Sequence, residues 1–315
     1  MKKISIIIPN YNCSKFIKKT FDSITEQTFK NYEVIFIDDG SSDDSLKIVS
    51  QYKEILKDKL ILISQYNQNG AVARNRGLEI ANGDYVLFLD SDDELYNSDT
   101  LKNMIENIDG YDLLLGNHII IDENNNIIKE YNKDGFLLDF DNQYKYIDIS
   151  PVPTSKLYSM KIIRNNKLYF SNVKIGQDLN FYLKYLLHVN KIYDYAGFIY
   201  KYRIVANSVT RIKNTNFIDI YNSMNEVRKH YLNNNFGEKF YKYVAPTCVG
   251  HISGQMEKVR NFKNRKIKKM IYSYFTFAID DFVQNNKYKT KRFNKKVLKF
   301  KIKKILLKLG AYKTK

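Results

Sequence analysis

Cysteine occurs only twice in the 315 residues, at Cys13 and Cys248. That scarcity excludes a disulfide framework and a cysteine-built zinc site, and it matches a reducing compartment, so the chain is expected to be cytoplasmic. Histidine is also sparse. His118, His188, His230 and His251 are scattered, and no Ser/His/Asp or Cys/His nucleophilic set is evident. No glycine precedes Gly40, which argues against a glycine-rich phosphate loop after the first strand. Long apolar runs are missing too: the best candidate, Ile271 to Val283, is short of the roughly 20 residues a bilayer span needs and carries Asp280 and Asp281. The N-terminal apolar run breaks at Pro9 and has no small-residue cleavage site, so it reads as a strand rather than a signal peptide.

What is abundant is charge, unevenly placed. The net charge is +17; residues 1–213 carry 27 Lys+Arg against 28 Asp+Glu, and residues 214–315 carry 24 against 6. All of the excess is C-terminal. This divides the chain into a nearly neutral module, 1–213, and a basic one, 214–315, with a different partner.

Ile4 to Ile8 is apolar at every position but Ser5 and rich in β-branched residues, the pattern of a strand buried on both faces. Ile17, Phe21, Ile24 and Thr28 then recur at helical spacing. Further strands are expected at Glu33 to Ile37, Leu60 to Ile63 and Tyr85 to Leu89, with a helix at about Ala71 to Ala81. Repeats of about 25 residues in the order β-α-β-α-β-α-β predict an α/β domain with a mostly parallel sheet. Leu113 to Ile121 and Ile127 to Tyr131 flank DENNN and predict a hairpin. Four polar clusters, Pro9 to Asn12, Asp38 to Ser42, Asn67 to Gly70 and Asp90 to Asp93, each follow a strand and therefore gather at the carboxyl edge, where such sheets bind ligands.

The last cluster crowds Asp90, Asp92, Asp93 and Glu94 into five positions. Carboxylates this close repel one another unless a cation neutralises them or they splay into solvent. An isolated D-x-D is more often a solvated loop; the agreement of four clusters favours a divalent metal.

Together SIIIPNYN, Ser23 and Gln27 in FDSITEQTF, VIFIDDGSSDDS, NGAVARNRGLEIANGDYVLFLDSDD, Gln177-Asp178 and Tyr202-Arg203 resemble a family 2 glycosyltransferase with the GT-A fold, of the bacterial surface-polysaccharide type, over about the first 210 residues. The resemblance implies a nucleotide-sugar donor, with Asp92 as ligand to Mn²⁺ or Mg²⁺ and Asp90 facing the ribose or a metal-bound water. It implies that Asp39 accepts the uracil N3–H, favouring a UDP-sugar, and that Pro9 and Asn12 lie along base and ribose. Asn67, Gly70, Arg74, Ser91 and Arg203 complete the implied donor site, with Arg203 near the diphosphate, a segment that also includes Ser208. Asn75 joins Arg74 as a candidate for base or phosphate. Asp178 resembles the general base that deprotonates an acceptor hydroxyl in an inverting displacement; Gln177 stands where relatives usually carry a glutamate. PVPTSKLYSMKII resembles the stretch that supports the acceptor.

The basic third is expected to be helical. One apolar stripe runs through Ile267, Met270, Ile271, Tyr274, Phe275, Ala278 and Phe282, and another through Leu298, Ile302, Ile305, Leu306 and Leu309 in a segment with no acidic residue. Such a helix suits an anionic membrane surface, and a position there suits a lipid-linked glycan acceptor. Its competing role is to pack on the catalytic module or in a homodimer. Nothing resembles a base-reading module, so nucleic acid is not expected. Other readings are a sugar nucleotidyltransferase and a non-catalytic basic adaptor with a degenerate catalytic domain.

Overall fold

The computed structural model describes residues 2–131, 137–138, 146–147, 151–205, 217–235, 237–258, 265–284, 286 and 290–308. Ser208 and Leu309 lie outside them. In chain order the elements begin β1 (Ile4–Asn10), α1 (Ile17–Thr25), β2 (Tyr32–Asp38), α2 (Ser45–Ser50), α3 (Lys53–Leu56), β3 (Leu60–Ser64), α4 (Gly70–Ile80) and β4 (Tyr85–Phe88). There follow β5 (Glu94–Leu95), α5 (Thr100–Asn107), β6 (Leu113–Ile121), β7 (Ile127–Tyr131), β8 (Leu137–Leu138), β9 (Lys156–Ser159) and α6 (Met160–Asn165). Last come α7 (Gln177–Leu186), β10 (Ile192–Arg203), α8 (Phe217–Leu232), α9 (Gly237–Lys258), α10 (Arg265–Gln284) and α11 (Lys291–Lys308).

One sheet organises the first compact unit, 1–143, 150–172 and 188–212. Its strand order is β3-β2-β1-β4-β9-β6-β10-β5. The four leading strands are parallel, as their sequences predict. Every residue of β2 is buried, and Ile4, Ile6, Ile7 and Ile8 of β1 are inaccessible to solvent. Each such aliphatic side chain contributes roughly 1.5–3 kcal/mol of burial. The other half corrects the expectation of a mostly parallel sheet. β9 inserts antiparallel between β4 and β6, β5 pairs antiparallel with β10, and only β6 and β10 run parallel there. The β6–β7 hairpin forms as predicted.

α1 ends at Thr25, short of Thr28, because Gln27 turns inward: its amide donates to Ser23 O at 2.9 Å and Asn97 O at 2.6 Å and accepts from Leu101 N at 2.9 Å. Ser23 receives Leu95 N at 3.1 Å. Both residues therefore serve the chain after β4 rather than a ligand.

The second compact unit comprises 144–149, 173–187 and 213–315. The helical stretch carrying Asp178 thus groups with the basic helices. Within this unit Asn180 donates to Ser223 O at 2.8 Å, Tyr231 donates to Leu183 O at 2.7 Å, and Arg228 pairs with Asp281 at 2.7 Å. Phe275, Ala278 and Phe282 of the predicted α10 stripe are buried. α11 differs from its prediction. Among its described side chains Phe293, Val297 and Phe300 are buried, while Leu298 and Ile302 are 57 % and 46 % exposed. No helix among the described residues is long and apolar enough to cross a membrane.

Candidate active site

The parallel register aligns the strand ends: Asn10 faces Asp38, Asp38 faces Ser64, and Ile7 faces Phe88. Three polar loops are tied together there. Buried Asn10 donates its amide to Asp38 Oδ1 and Ser41 Oγ, both at 3.0 Å. Asn12, at φ 50°, donates its N–H to Ser41 Oγ at 2.9 Å and accepts Ser42 N at 2.8 Å, so it shapes the loop after Pro9. Asp39 is buried. Its carboxylate receives Gln65 Nε2 at 2.8 Å, Gln68 N at 2.9 Å and Asn69 N at 2.8 Å, fixing the chain that contains Asn67. A carboxylate has about four acceptor positions, so three donors leave one for a base N–H. Gly40 makes this approach possible: at φ +78° it accepts no side chain cheaply, and an added Cβ would stand 2.9 Å from Asn67 N.

Asn69, immediately before α4, caps the helix by accepting Ala71 N at 2.9 Å and Val72 N at 3.3 Å. Gly70 leaves room for Arg74, whose Nη1 would lie 3.3 Å from a Cβ there. Arg74 reaches across to Asp90, Nη2 to Oδ1 at 2.7 Å, with its guanidinium 5.5 Å from the centre of the Phe170 ring. Asn75 makes reciprocal bonds with the Phe170 main chain, at 2.9 and 2.8 Å. Its amide braces that segment, in place of the base or phosphate contact raised from sequence.

The four carboxylates of the acidic loop separate into distinct roles. Asp90 is paired with Arg74. Asp93 is buried, accepts Arg203 N at 2.6 Å and the Tyr200 hydroxyl, and is held well above the ordinary carboxylate range by burial, with Asp92 and Asp90 adding to the effect. It immediately precedes the short strand β5. Glu94 pairs with Arg203 and lies 3.6 Å from Lys201. Among the described residues Asp92 alone of the four has no hydrogen bond or ion pair from another side chain. Burial first, then the neighbouring Asp90 charge, pushes its carboxyl up to about 6. Beside it Ser91 is buried with its carbonyl bonded to Thr20 Oγ1 at 2.9 Å, and the Cys13 thiol is pushed up to about 12 by burial and then Asp92.

Arg203, expected near the diphosphate, is committed to protein partners. It is 2 % exposed, and each guanidinium nitrogen is engaged: Nε with Asp92 O at 2.9 Å, Nη1 with Asp122 O at 3.0 Å and Asn125 Oδ1 at 2.5 Å, and Nη2 with Glu94.

A divalent cation fits Asp92. The group is hard, anionic when deprotonated, half-buried and not committed to another side chain. No group of three or more His, Cys, Asp or Glu that could hold a metal occurs among the described residues. A cation here would therefore draw most of its ligands from phosphate and water, as small hard cations commonly do.

Asp178 sits in the first turn of α7, after Gly176 at φ +86°. It belongs to the second unit, and the first unit contains the other predicted site residues. The Gln177 amide oxygen is buried without a hydrogen-bond partner among the described residues. His118 stacks on Tyr131 with ring centres 4.8 Å apart, a structural use.

The architecture is matched by TarS of Staphylococcus aureus, solved with UDP-GlcNAc: TM-score 0.69, 21 % identity, covering all of this chain and 93 % of that one. The fold is that of a GT-A glycosyltransferase. The family model for glycosyl transferase family 2 matches residues 5–166, half of the chain, and the chain belongs to that family. It is 30 % identical over 225 residues to the glycosyltransferase GlyA of Streptococcus pneumoniae, a match covering 67 % of this chain and 32 % of GlyA. Over 210 residues it is 32 % identical to the poly(ribitol-phosphate) beta-glucosyltransferase of Bacillus spizizenii, covering 64 % of this chain and 32 % of that enzyme. The chain thus spans about a third of the length of these curated relatives.

Proposed function

We propose that this glycosyltransferase moves a hexose-type sugar from a UDP-sugar to a hydroxyl of a lipid-linked glycan, with inversion, during assembly of capsule, lipopolysaccharide or teichoic acid. The observation that carries the donor half is Asp92: the one uncommitted carboxylate in a loop where Asp90, Asp93 and Glu94 are each already paired. Asp92 would hold Mn²⁺ or Mg²⁺, and the ion would supply positive charge to the leaving diphosphate. Asp39 keeps one acceptor position for a uracil N–H, with Pro9, Asn12 and Asn67 around it. Arg74 orients Asp90 and contributes a fixed cation to the crevice. Asp178 accepts the proton of the acceptor hydroxyl as its oxygen bonds to the anomeric carbon, and the bond from that carbon to the diphosphate oxygen breaks with its electron pair going to the nucleotide. The UDP-GlcNAc held by the similar TarS structure, and the poly(ribitol-phosphate) acceptor in the name of the Bacillus relative, support the reading.

The acceptor half includes a position on the cytoplasmic face of an anionic membrane. Leu298 and Ile302 are exposed one helical turn apart on α11, among exposed Lys291, Lys295 and Lys299. Each lysine near anionic lipid is worth on the order of 1 kcal/mol.

Calorimetric titration of UDP, GDP, TDP and CDP, with and without Mn²⁺, into wild type and Asp92→Ala tests the donor site. Metal-enhanced UDP binding that Asp92→Ala removes is expected. If folded wild type binds no nucleotide under any metal condition, the donor reading is wrong.

A further inference from the structure

We infer that Arg203 is a positioning residue, which fixes the main chain on either side of the Asp92 carboxylate and does not itself touch the donor. The inference rests on the donor-site reading above. Arg203 closes β10, where the register against β6 shifts between Asp194 and Phe198 and again between Phe198 and Tyr200. Such irregularities re-aim side chains beside active sites. After the shifts, Tyr200 and Arg203 both address the acidic loop: the Tyr200 hydroxyl and the Arg203 N–H, at 2.6 Å, hold the Asp93 carboxylate, and Arg203 Nε holds Asp92 O at 2.9 Å. On the other side Thr20 Oγ1 holds Ser91 O at 2.9 Å. Residues 91 to 93 are thus pinned through two carbonyls and one carboxylate, and the Asp92 side chain alone is left to engage a ligand.

The brace is anchored by distant parts of the same unit. Nη1 binds the hairpin turn at Asp122 O and Asn125 Oδ1, Nη2 pairs with Glu94, and the guanidinium lies 5.1 Å from the centre of the Phe16 ring at the start of α1. A lysine has one nitrogen and no planar fork, so it cannot reproduce bonds that diverge to four acceptors. A surface ion-pair role is excluded by burial, and four of the five guanidinium N–H donors already have protein acceptors, which argues against a diphosphate contact. Groups that orient a metal ligand from behind set affinity for the metal while leaving the rest of the ligand's contacts in place.

The test is calorimetry on the full chain, titrating UDP in EDTA and across a Mn²⁺ series. For Arg203→Lys, UDP affinity in EDTA stays near wild type, while the Mn²⁺ concentration giving half of the enhancement rises roughly 10- to 100-fold. Turnover lost at low Mn²⁺ returns in large part at saturating Mn²⁺, with donor KM unchanged there. Tyr200→Phe, which keeps the charge and loses only the hydroxyl on Asp93, moves the Mn²⁺ midpoint the same way by less, and it carries the test if Arg203→Lys does not fold. Glu33→Gln is the control for general loosening: Glu33 binds Ser5 and Asn82 at 2.6 Å each, at the amino end of the sheet, and the variant lowers Tm without moving the midpoint. UDP affinity that falls in EDTA would show Arg203 contacting the donor and overturn the inference. So would a midpoint that stays put in both clamp variants, or one that Glu33→Gln moves equally. Absence of Mn²⁺-enhanced UDP binding in wild type refutes the donor-site reading instead.

Discussion

Replacing Asp92 with Asn is expected to make the metal-free protein more stable while disabling it. The Asp92 carboxyl is held at about 6 against an ordinary 3.8, because burial and then Asp90 oppose its charge. A gap of that size corresponds to about 3 kcal/mol of charging cost by the usual conversion. Partial exposure and salt screening reduce this, so ~1–2 kcal/mol is the working figure. The sign follows from proton binding. The folded protein holds the Asp92 proton more tightly than the unfolded chain, so the stability it confers is complete below pH 3.8 and is lost as pH rises through about 6. Asn carries no such cost. The difference between variant and wild type should be near zero at pH 4, grow through pH 6 and level off above pH 7. Melting in EDTA at a series of pH values checks this, with the variant higher at pH 7.5 by roughly 2–4 °C for each kcal/mol. Adding Mn²⁺ and UDP should reverse the order, because only wild type gains from the ligands. If Asp92→Asn is destabilising at pH 7.5, or its effect does not vary with pH, Asp92 is a satisfied structural carboxylate and the assignment of the metal to it fails.

Asn75→Ala removes two hydrogen bonds to the Phe170 main chain and should cost about 1–3 kcal/mol in stability, with UDP affinity in EDTA largely retained; a selective loss of UDP binding at unchanged Tm would return Asn75 to the ligand site. The double variant Leu298→Glu/Ile302→Glu should melt like wild type yet no longer sediment with phosphatidylglycerol vesicles, whereas Phe300→Ala should cost about 3–5 kcal/mol because that ring is buried. Vesicle binding unaffected by the double variant would remove α11 from the membrane reading. Cys13, its thiol pushed up to about 12, should resist iodoacetamide at pH 8, and Asp92→Asn should speed alkylation by removing a neighbouring negative charge. Equal rates in the two proteins would contradict the placement of Asp92 beside the thiol.

The part of the site that was legible in the sequence is the part whose partners are local or repeat in kind. Four parallel strands, β1, β2 and β4 buried and β3 half-buried, announce themselves as apolar runs, and because parallel strands all point one way, the polar residues after each must meet at one edge. That places Asn12, Asp39, Arg74, Asp90 and Asp92 together with no knowledge of any contact. The antiparallel half leaves no such trace: β9 is four residues long, and its insertion between β4 and β6 depends on pairings across more than forty positions. Arg203 shows the consequence. An arginine after a strand reads as a free cation aimed at an anion, because a sequence does not reveal that Glu94, 109 positions earlier, and two carbonyls have already claimed it. Asp93 is the converse case. Next to Asp92 it looks like a second candidate ligand, and the Tyr200 hydroxyl and the Arg203 N–H, 107 and 110 positions away, mark it as an anchor. In an acidic cluster the residues with identified distant partners are thus the structural ones, and the one left without a partner is the candidate for chemistry. By that criterion Asp92, and not the cluster as a whole, is where substitution should separate stability from turnover.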